Sequence, residues 1–328
     1  VHSQANVKDI RPLPDGQPDG ARYEVTYRSS TNLLFKPEHR IRTRNVILSA
    51  GVLGTNELLL KCRDENKSLP KISPRLGDTV RTNSEAFLGG FNRREVVDHS
   101  KGLAITSIFQ ADETTRVEPV RFSDGSSLIF WLISAPFYRP RGKFFKRLGV
   151  LLLEILKRPA AFSNIKFTSG LTRRGTALMI MQTENNLMRL VRGRSLLTLF
   201  RRGLVAEHDL EHTVPVNTSL GHKVAERFAE EIQGEPIGTM LEALFNVPAT
   251  AHMLGGCIFG KDETEGVVNL DCQVFNYPGL YVVDGSIVPA NPGINPSLTI
   301  TAMAEYAMER MPPKPGAKVR KPLGPPGA

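Results

Sequence analysis

A lone histidine, His252, stands beside a pair of glycines in the segment AHMLGGC. Imidazole is the side chain whose ordinary charge change falls closest to neutral pH, so it readily gives or takes a proton there. Gly255 and Gly256 carry no Cβ, so a flat ring system can approach their backbone closely. The segment is therefore compatible with a histidine beside a flat ring, and the alternative is a structural histidine.

Glu118 is a second candidate, because it lies between Val117 and Pro119 at the end of a predicted strand. Apolar surroundings favour the neutral form of a carboxyl group, which suits a residue that takes a proton near neutral pH. The alternative is a glutamate on the solvent face of the strand, paired with Arg116 or Arg121.

The stretch Tyr281–Glu305, YVVDGSIVPANPGINPSLTITAMAE, has the order of elements that can hold a large polar ligand. A buried-looking strand, Leu280–Val283, ends at Asp284-Gly285, a loop with three prolines follows, and a helix begins at Ser297. The first N–H groups of this helix point towards the loop, where the helix dipole favours negative charge. The alternative is an ordinary strand–loop–helix crossover.

A similar unit occurs much earlier in the chain. The strand Asn45–Ser49 leads into the turn Ala50–Thr55, and the short helix Asn56–Leu60 follows. Before this unit, residues 1–43 are rich in strand signals, and Tyr23–Tyr27 alternates apolar and polar side chains as half-buried strands do.

These segments carry a resemblance to a known family. The patterns HMLGGC, YVVDGSIVP and GINPSLTITAMAE, together with NVILSAGVLGTNELLL, resemble the C-terminal part of the glucose–methanol–choline (GMC) flavoenzymes, and most of all the cholesterol-oxidase-like branch. The similarity is strong from His252 to Met311 and continues more weakly back to about Arg44. It implies an α/β (α+β) fold, in which an incomplete Rossmann-like FAD-binding domain carries an inserted antiparallel-sheet substrate domain.

The resemblance also implies an activity. FAD is the expected cofactor, and the expected substrate is a sterol or another bulky apolar alcohol that is oxidised to a carbonyl compound. His252 is then the catalytic histidine that takes the hydroxyl proton as hydride leaves for the flavin. Asn295 is the second polar partner at that site, and Glu118 is the active-site carboxylate.

The expected FAD contacts, all implied by the resemblance, come from four parts of the chain. They are Ala50 and Gly51, Asn83, Gly255, and the group Asp284, Gly285, Asn295, Pro296 and Ser297. For Asn83, in the segment TNSE, the alternative is a polar turn.

The resemblance divides the chain into three parts. Residues 1–84 and 248–311 form the FAD-binding domain, residues 85–247 form the substrate-binding domain, and residues 312–328, which are rich in proline and basic residues, form a disordered tail. No strand–GxGxxG–helix unit precedes Ala50, although the family has this fingerprint near its N-terminus. We therefore expect that Val1 is not the native start and that a nucleotide-binding segment is missing.

Within the substrate-binding part, alternating side chains predict antiparallel strands, and one apolar repeat predicts a helix. The predicted strands are 104–109, 115–120, 127–131, 176–182 and 196–200, and the predicted helix is 217–233, capped by Asn217, Thr218 or Ser219.

A basic, apolar segment at 143–158 stands out from its surroundings. Phenylalanine, leucine and isoleucine recur there at helical spacing, with lysine and arginine between them. Such a helix can lie in a membrane interface with its cations facing anionic head groups. The alternatives are an insertion helix with a solvated basic edge, and a lid over a sterol-sized pocket.

Composition limits the remaining functions. The net charge is +9, and residues 139–202 hold fifteen lysines and arginines but only two acids. The excess positive charge is therefore concentrated in one region, and no nucleic-acid partner is expected. The three cysteines have no metal-like spacing and favour a reducing compartment, so a cytoplasmic or peripheral membrane location is expected. The segment His208–His212 spells H-x-x-E-H, a zinc motif, yet Pro215 follows closely. A polar strand end or turn is therefore expected there and no metal site.

Two rival functions remain open at this point. The chain can be a non-catalytic protein that binds a membrane or lipid through 143–158. It can also be an inactive fragment that lacks the GxGxxG segment.

Overall fold

The computed structural model describes residues 1–32, 36–92, 94, 97–138, 142–167, 169–195, 198–209, 211–214, 219–246, 249–313 and 316. The described chain is a mixed α/β protein. Its strands are β1 Ala5–Pro12, β2 Tyr23–Ser29, β3 Glu38–Thr43, β4 Val46–Leu48, β5 Ala86–Phe91, β6 Phe109–Gln110, β7 Thr115–Val120, β8 Ser134–Pro136, β9 Gly175–Gln182, β10 Met188–Arg194, β11 Arg202–His208, β12 Glu235–Thr239 and β13 Leu280–Val282. Its helices are α1 Gly51–Leu60, α2 Ser127–Ile133, α3 Phe144–Lys157, α4 Pro159–Phe167, α5 Leu171–Arg174, α6 Ser219–Glu231 and α7 Ser297–Arg310, with π-helical turns at Lys61–Glu65 and Leu241–Phe245 and 3₁₀ turns at Asp124–Ser126 and Gly285–Ile287.

The strand predicted at Asn45–Ser49 pairs with the strand predicted at Leu280–Val283. β13 and β4 are parallel, and Leu280 lies opposite Val46. Each strand leads into a helical element, α1 after β4 and a 3₁₀ turn after β13. The sequence therefore predicted both strands, and the structure adds that they are neighbours. The predicted turn Ala50–Thr55 is wrong, because α1 already begins at Gly51.

The largest core cluster lies around this parallel pair. Leu59, Leu254, Leu280 and Ile287 are buried in it, so the cluster joins α1 to the histidine loop and to the segment after β13. All three cysteines are buried in the same cluster as free thiols. Burial raises the pKa of Cys62 to about 12, so this thiol stays neutral and acts as a small apolar side chain.

A separate three-stranded antiparallel sheet is formed by β1, β2 and β3. β2 covers the predicted strand Tyr23–Tyr27. Ile10 and Tyr23 are buried and connect this sheet to the main cluster.

The central sheet is antiparallel and has the order β6-β7-β9-β5-β12-β8. The predicted strands 115–120 and 176–182 are β7 and β9, which pair along most of their length. β9 is buried at every position, as expected for a central strand.

The two faces of this sheet have different neighbours. On one face, Leu88, Val117 and Ile180 pack with Ala225 of α6. On the other face, Phe91 and Ala177 are covered by Phe130 of α2 and Ile165 of α4.

The next row along the second face is Glu118–Met179–Phe87, three residues that lie opposite one another in β7, β9 and β5. Successive rows on one face are about 7 Å apart. The row that carries Glu118 is therefore adjacent to the row that α2 and α4 cover.

One predicted strand is wrong. Residues 127–131 lie in α2, whose single buried side chain is Phe130. A short apolar run fits a strand or a helix equally well, and here packing of Phe130 against the sheet favours the helix.

Two other predicted strands are misplaced. Of 196–200, the first two residues lie outside the described residues, and the others form a turn between β10 and β11. Leu199 and Phe200 have positive φ, which a continuous strand does not allow. Of 104–109, only Phe109 is in a strand, and Ile105 makes one isolated bridge to Val120.

The predicted helix 217–233 is α6, from Ser219 to Glu231. Two of its proposed caps, Asn217 and Thr218, lie outside the described residues, as does most of the predicted tail 312–328. Across the described part of the chain, no helix has both the length and the apolar character needed to cross a bilayer.

Candidate active site

Glu118 and Asn295 meet in the structure. Nδ2 of Asn295 donates to both carboxylate oxygens of Glu118, at 3.0 and 2.9 Å. Glu118 is buried, so the alternative of a solvent-facing glutamate is wrong. Arg121, one of its possible partners, instead donates to the backbone oxygen of Lys101.

This contact leaves one atom of Asn295 without a partner. Its Oδ1 is buried and accepts no hydrogen bond from the described residues. Buried polar atoms nearly always have partners, so an unpaired acceptor is a position where a ligand donor fits. Because a carboxylate only accepts, Glu118 fixes which end of the amide faces it and which end is free.

His252 is held by a carboxylate that the sequence analysis did not single out. Nδ1 of His252 contacts Oε1 of Glu85, and the other oxygen of Glu85 accepts from the backbone N–H of Ala251. Glu85 is fully buried. With Nδ1 donating to a carboxylate, Nε2 of the neutral ring is the acceptor.

The loops of His252 and Asn295 are attached to one short segment, residues 81–85. Arg81 forms a backbone bridge with Leu254, next to the His252 loop. Asn83 donates to the backbone oxygen of Ile294 at 3.0 Å and accepts from Gly293 N at 3.2 Å. Because Glu85 holds His252 only two residues further on, this segment brings the two predicted catalytic loops together.

Asn83 is thus a buried connector and not a polar surface turn. Its amide is used on the loop before Asn295, and its backbone oxygen accepts from Gln182 N at 2.7 Å. A direct FAD contact by Asn83 stays a prediction.

The start of α7 is open next to Asn295. Pro296 is the residue before the helix, and Ser297 and Leu298 are exposed. The free N–H groups of this turn and the helix dipole suit a negatively charged or carbonyl group of a ligand.

Ala50 lines an open cleft of about 710 Å³, and Gly51 follows it as the first residue of α1. Gly51 has φ +70°, and a Cβ at this position meets nothing within 4 Å. Ser49, Gly54 and the edge of β4 also line the cleft. These residues are accessible to a ligand, as the prediction requires.

Asp284 and Gly285 are engaged inside the protein. Asp284 accepts from the N–H and the hydroxyl of Ser286, at 2.8 and 2.5 Å, and from the hydroxyl of Thr55 at 2.5 Å. The backbone oxygen of Gly285 accepts from Gly255 N at 3.0 Å. Their positions therefore join the turn after β13 to α1 and to the histidine loop, and their FAD contacts stay predictions.

Packing of the chain around Gly255 and Gly256 leaves no room for a side chain at either position. A Cβ on Gly255 is 2.0 Å from the backbone oxygen of Thr79, and a Cβ on Gly256 is 2.4 Å from the amide of Asn56. Both glycines also have positive φ. Close packing of the chain on itself is enough to require glycine here, independently of any ring.

The H-x-x-E-H segment forms the strand end and turn that the sequence analysis favoured. His208 ends β11, and Nδ1 of His212 lies 3.3 Å from Asp209 Oδ1. Among the described residues, no group of three metal-binding side chains comes together.

The comparisons with known proteins concern the part of the chain that carries these residues. A family model described as GMC oxidoreductase matches residues 177–304, a range that contains His252, Asn295 and both glycines. Residues 177–304 of this chain are therefore similar to the C-terminal domain of GMC oxidoreductases. The resemblance drawn from the sequence patterns is therefore confirmed.

Two cholesterol oxidases are similar to this chain over most of its length. The protein of Acinetobacter baumannii is 38% identical over 316 residues, which are 96% of this chain and 55% of that protein. The protein of Mycobacterium tuberculosis is 34% identical over 314 residues, which are 93% of this chain and 53% of that protein. The chain thus spans about half the length of these curated relatives.

Solved structures show that the fold is shared more widely. Pyridoxine 4-oxidase from Mesorbium loti has a TM-score of 0.51 and 14% identity, covering 93% of this chain and 57% of that one. A formate oxidase of Aspergillus oryzae RIB40, solved to examine FAD modification, has a TM-score of 0.54 and 13% identity, covering 93% and 59%. These likenesses concern the fold alone.

Proposed function

We propose that this chain takes part in the FAD-dependent oxidation of a CH–OH group in a bulky apolar alcohol such as a sterol. The observation that carries the proposal is the pairing of His252 with buried Glu85 on the same segment that holds the Asn295 loop. The identity to cholesterol oxidases supports the substrate class.

The proposed base is Nε2 of His252. Glu85 holds the proton on Nδ1, so the free lone pair of the ring is on Nε2, where it takes the hydroxyl proton of the alcohol. The carboxylate also stabilises the imidazolium that forms, because opposite charges attract more strongly in a buried site. Glu85 acts through His252 and is a positioning residue.

Asn295 and the second face of the central sheet supply the remaining contacts. Oδ1 of Asn295 is the acceptor for a donor on the ligand, and Glu118 holds the amide so that this oxygen stays directed away from it. Met179 and Phe87 continue the same row as Glu118 and form an apolar wall. This row of side chains is polar at Glu118 and apolar at Met179 and Phe87. It therefore suits an alcohol whose hydroxyl group is attached to a large hydrocarbon part.

The residues present fit FAD at two places. Ala50 at the open cleft and the exposed Gly51 next to it suit the nucleotide part, while Asn295 Oδ1 and the exposed start of α7 suit the polar edge of the flavin ring. When bound, FAD supplies the acceptor for the hydride of the alcohol.

The test has two steps. The purified chain is titrated with FAD and its visible flavin absorbance is recorded. The complex is then mixed with cholesterol without oxygen, and bleaching of the flavin is followed in the wild type, in His252→Ala and in the matched control His208→Ala. We expect His252→Ala to keep the flavin and to lower the bleaching rate about 10²–10⁴-fold, while His208→Ala behaves as wild type.

A chain that binds no flavin contradicts the cofactor assignment. Equal bleaching in wild type and His252→Ala contradicts the assignment of the base.

A further inference from the structure

Large apolar side chains on α2, α3 and α4 face solvent, although each helix also has a buried side. We call six of them the apolar face: Leu128, Leu132, Phe145, Leu152, Leu156 and Phe167. Phe145, Leu156 and Phe167 are 84%, 77% and 80% exposed. Large exposed apolar side chains that are concentrated on neighbouring helices mark an interaction site.

α3 has its apolar side turned outwards. Phe145, Leu152 and Leu156 are spaced at i, i+7 and i+11, so they share one side of the helix. The buried residues, Arg147 and Leu151, lie on the other side. A surface helix that contacts only water has the opposite arrangement, with its apolar side against the protein.

The helices are fixed from behind by hydrogen bonds. Arg147 donates to the backbone oxygens of Gly142 and Glu242, at 2.7 and 2.8 Å. Trp131 Nε1 donates to Lys166 O at 2.8 Å, and Lys166 Nζ donates back to Trp131 O at 2.6 Å. These contacts join α3 to the π-helical turn Leu241–Phe245 and α2 to α4, so the apolar face is presented on a braced support.

The segment that carries the apolar face is basic, and exposed cations lie at both ends of α3. Residues 127–174 contain ten lysines and arginines and a single acid, Glu154. Lys143 and Lys146 are exposed at the start of α3, and Lys157 and Arg158 are exposed at its end.

We infer that the apolar face docks on the surface of an anionic lipid bilayer. Phe145, Leu156 and Phe167 enter the interface, and the lysines at the two ends of α3 contact phosphate head groups. A second copy of the chain is a poorer occupant, because face-to-face packing brings two sets of like charges together.

Two of the helices that carry the apolar face also pack against the central sheet next to the candidate site. Phe130 of α2 and Ile165 of α4 cover the sheet row that contains Ala177. The row with Glu118 follows about 7 Å further along the same face of the sheet. A protein docked through the apolar face therefore holds this row beside the bilayer, where apolar alcohols are concentrated.

The chain contains a single tryptophan, Trp131, and it lies in α2 on the same side as Leu128 and Leu132. Its fluorescence is therefore a direct probe of docking. The 328-residue chain is mixed with phosphatidylserine–phosphatidylcholine vesicles, and the emission maximum and the co-sedimented fraction are measured. We expect a blue shift of Trp131 and binding that weakens with added salt, and little binding to vesicles of phosphatidylcholine alone.

The test variant is Phe145→Ser with Leu156→Ser. Its matched control is Leu199→Ser with Leu270→Ser, because Leu199 and Leu270 are similarly exposed, at 77% and 68%, outside the apolar face. We expect about tenfold weaker vesicle binding for the test variant, with wild-type binding for the control and unchanged circular dichroism for both.

Three results overturn the inference. They are no vesicle binding by the wild type, equal binding by wild type and the test variant, and a self-association that the test variant abolishes while vesicles stay unbound. The assay needs neither flavin nor turnover, so its outcome is independent of the proposed oxidation.

Discussion

Two buried carboxylates, Glu85 and Glu118, each control one polar side chain of the candidate site. Glu85 divides its oxygens between the ring of His252 and the backbone of Ala251, so it sets the position of a loop as well as a tautomer. Both oxygens of Glu118 accept hydrogen bonds from the N–H₂ group of Asn295, which sets the orientation of the Asn295 amide. The site thus has one carboxylate for the proton acceptor and another for the ligand-facing oxygen.

The role of Glu85 is tested by Glu85→Gln. Glutamine can accept only through one atom, so either Ala251 N–H or the ring of His252 loses its acceptor. We expect kcat to fall by about 10- to 100-fold, with a small change in KM, because the substrate contacts are retained. The measurement is steady-state kinetics of the flavin-loaded protein.

A purely structural role for Glu85 gives another pattern. In that case the loss of activity follows the loss of folded protein in thermal unfolding, and kcat per bound flavin is unchanged. The matched control is Glu184→Gln, an acid that contributes only backbone oxygens to the structure as described.

The Glu118–Asn295 contact is tested by a double-mutant cycle. Asn295→Asp replaces the donor with an acceptor next to a buried carboxylate, so we expect a loss of about 2–3 kcal/mol in the free energy of unfolding. With Glu118→Gln also present, the glutamine amide can donate to the new aspartate, and much of the loss should return. Urea denaturation measures all four proteins, and an equal loss in both backgrounds contradicts the contact.

At the residue scale, the sequence patterns and the resemblance predicted roles for His252, Asn295 and Glu118 but did not single out Glu85. The three are recognisable because each lies in a distinctive local pattern. Glu85 is 167 positions from its partner and precedes the plain apolar strand β5. The one available signal was a lone acid at the start of a buried strand, since such a charge needs a partner.

At the scale of elements, most predicted segments are confirmed, and the wrong predictions concern short apolar runs without a periodic pattern. The predictions for β2, β4, β7, β9, β13, α6 and α7 are confirmed to within a few residues. α2 was taken for a strand because SLIFW suits either element, and only its contact with the sheet decides. The turn at Leu199 and Phe200 was taken for a strand because its residues are apolar, whereas their positive φ is set by the hairpin on either side.

The π-helical turn Leu241–Phe245 has a titratable group in an unusual state. Burial raises the pKa of Glu242 from 4.5 to about 8, partly opposed by a hydrogen bond from Phe87 N–H. The folded protein therefore binds this proton more tightly than the unfolded chain does. The resulting stabilisation is complete below about pH 4.5 and is lost as the pH rises through about 8.

Glu242→Gln removes this dependence, because glutamine stays neutral and keeps an acceptor for Phe87 N–H. Between pH 5 and pH 8 we expect the unfolding free energy of the wild type to fall relative to the variant by about 1.4 kcal/mol for each pH unit. Urea denaturation at several pH values measures it. The control, Glu309→Gln on the exposed side of α7, should show no such trend; parallel pH curves for wild type and Glu242→Gln contradict the assignment.

At the scale of the whole molecule, the arrangement of elements depends on contacts that local patterns do not contain. The pairing of β4 with β13, the order of the six strands in the central sheet and the second sheet face shared by α2 and Glu118 all join distant residues. Residue types and the family resemblance indicated an α/β protein with an antiparallel sheet. Which face of that sheet carries the candidate site required the strand register.

The parallel pair also affects the order in which the protein can fold during synthesis. β4 is complete at residue 48, yet Ser49 finds its partner Val283 only 234 positions later. At a translation rate of about 5–20 residues per second, that interval lasts roughly ten to fifty seconds. Throughout it, the nascent chain carries an apolar strand with an open edge, and this is the kind of segment that chaperones at the ribosome shield.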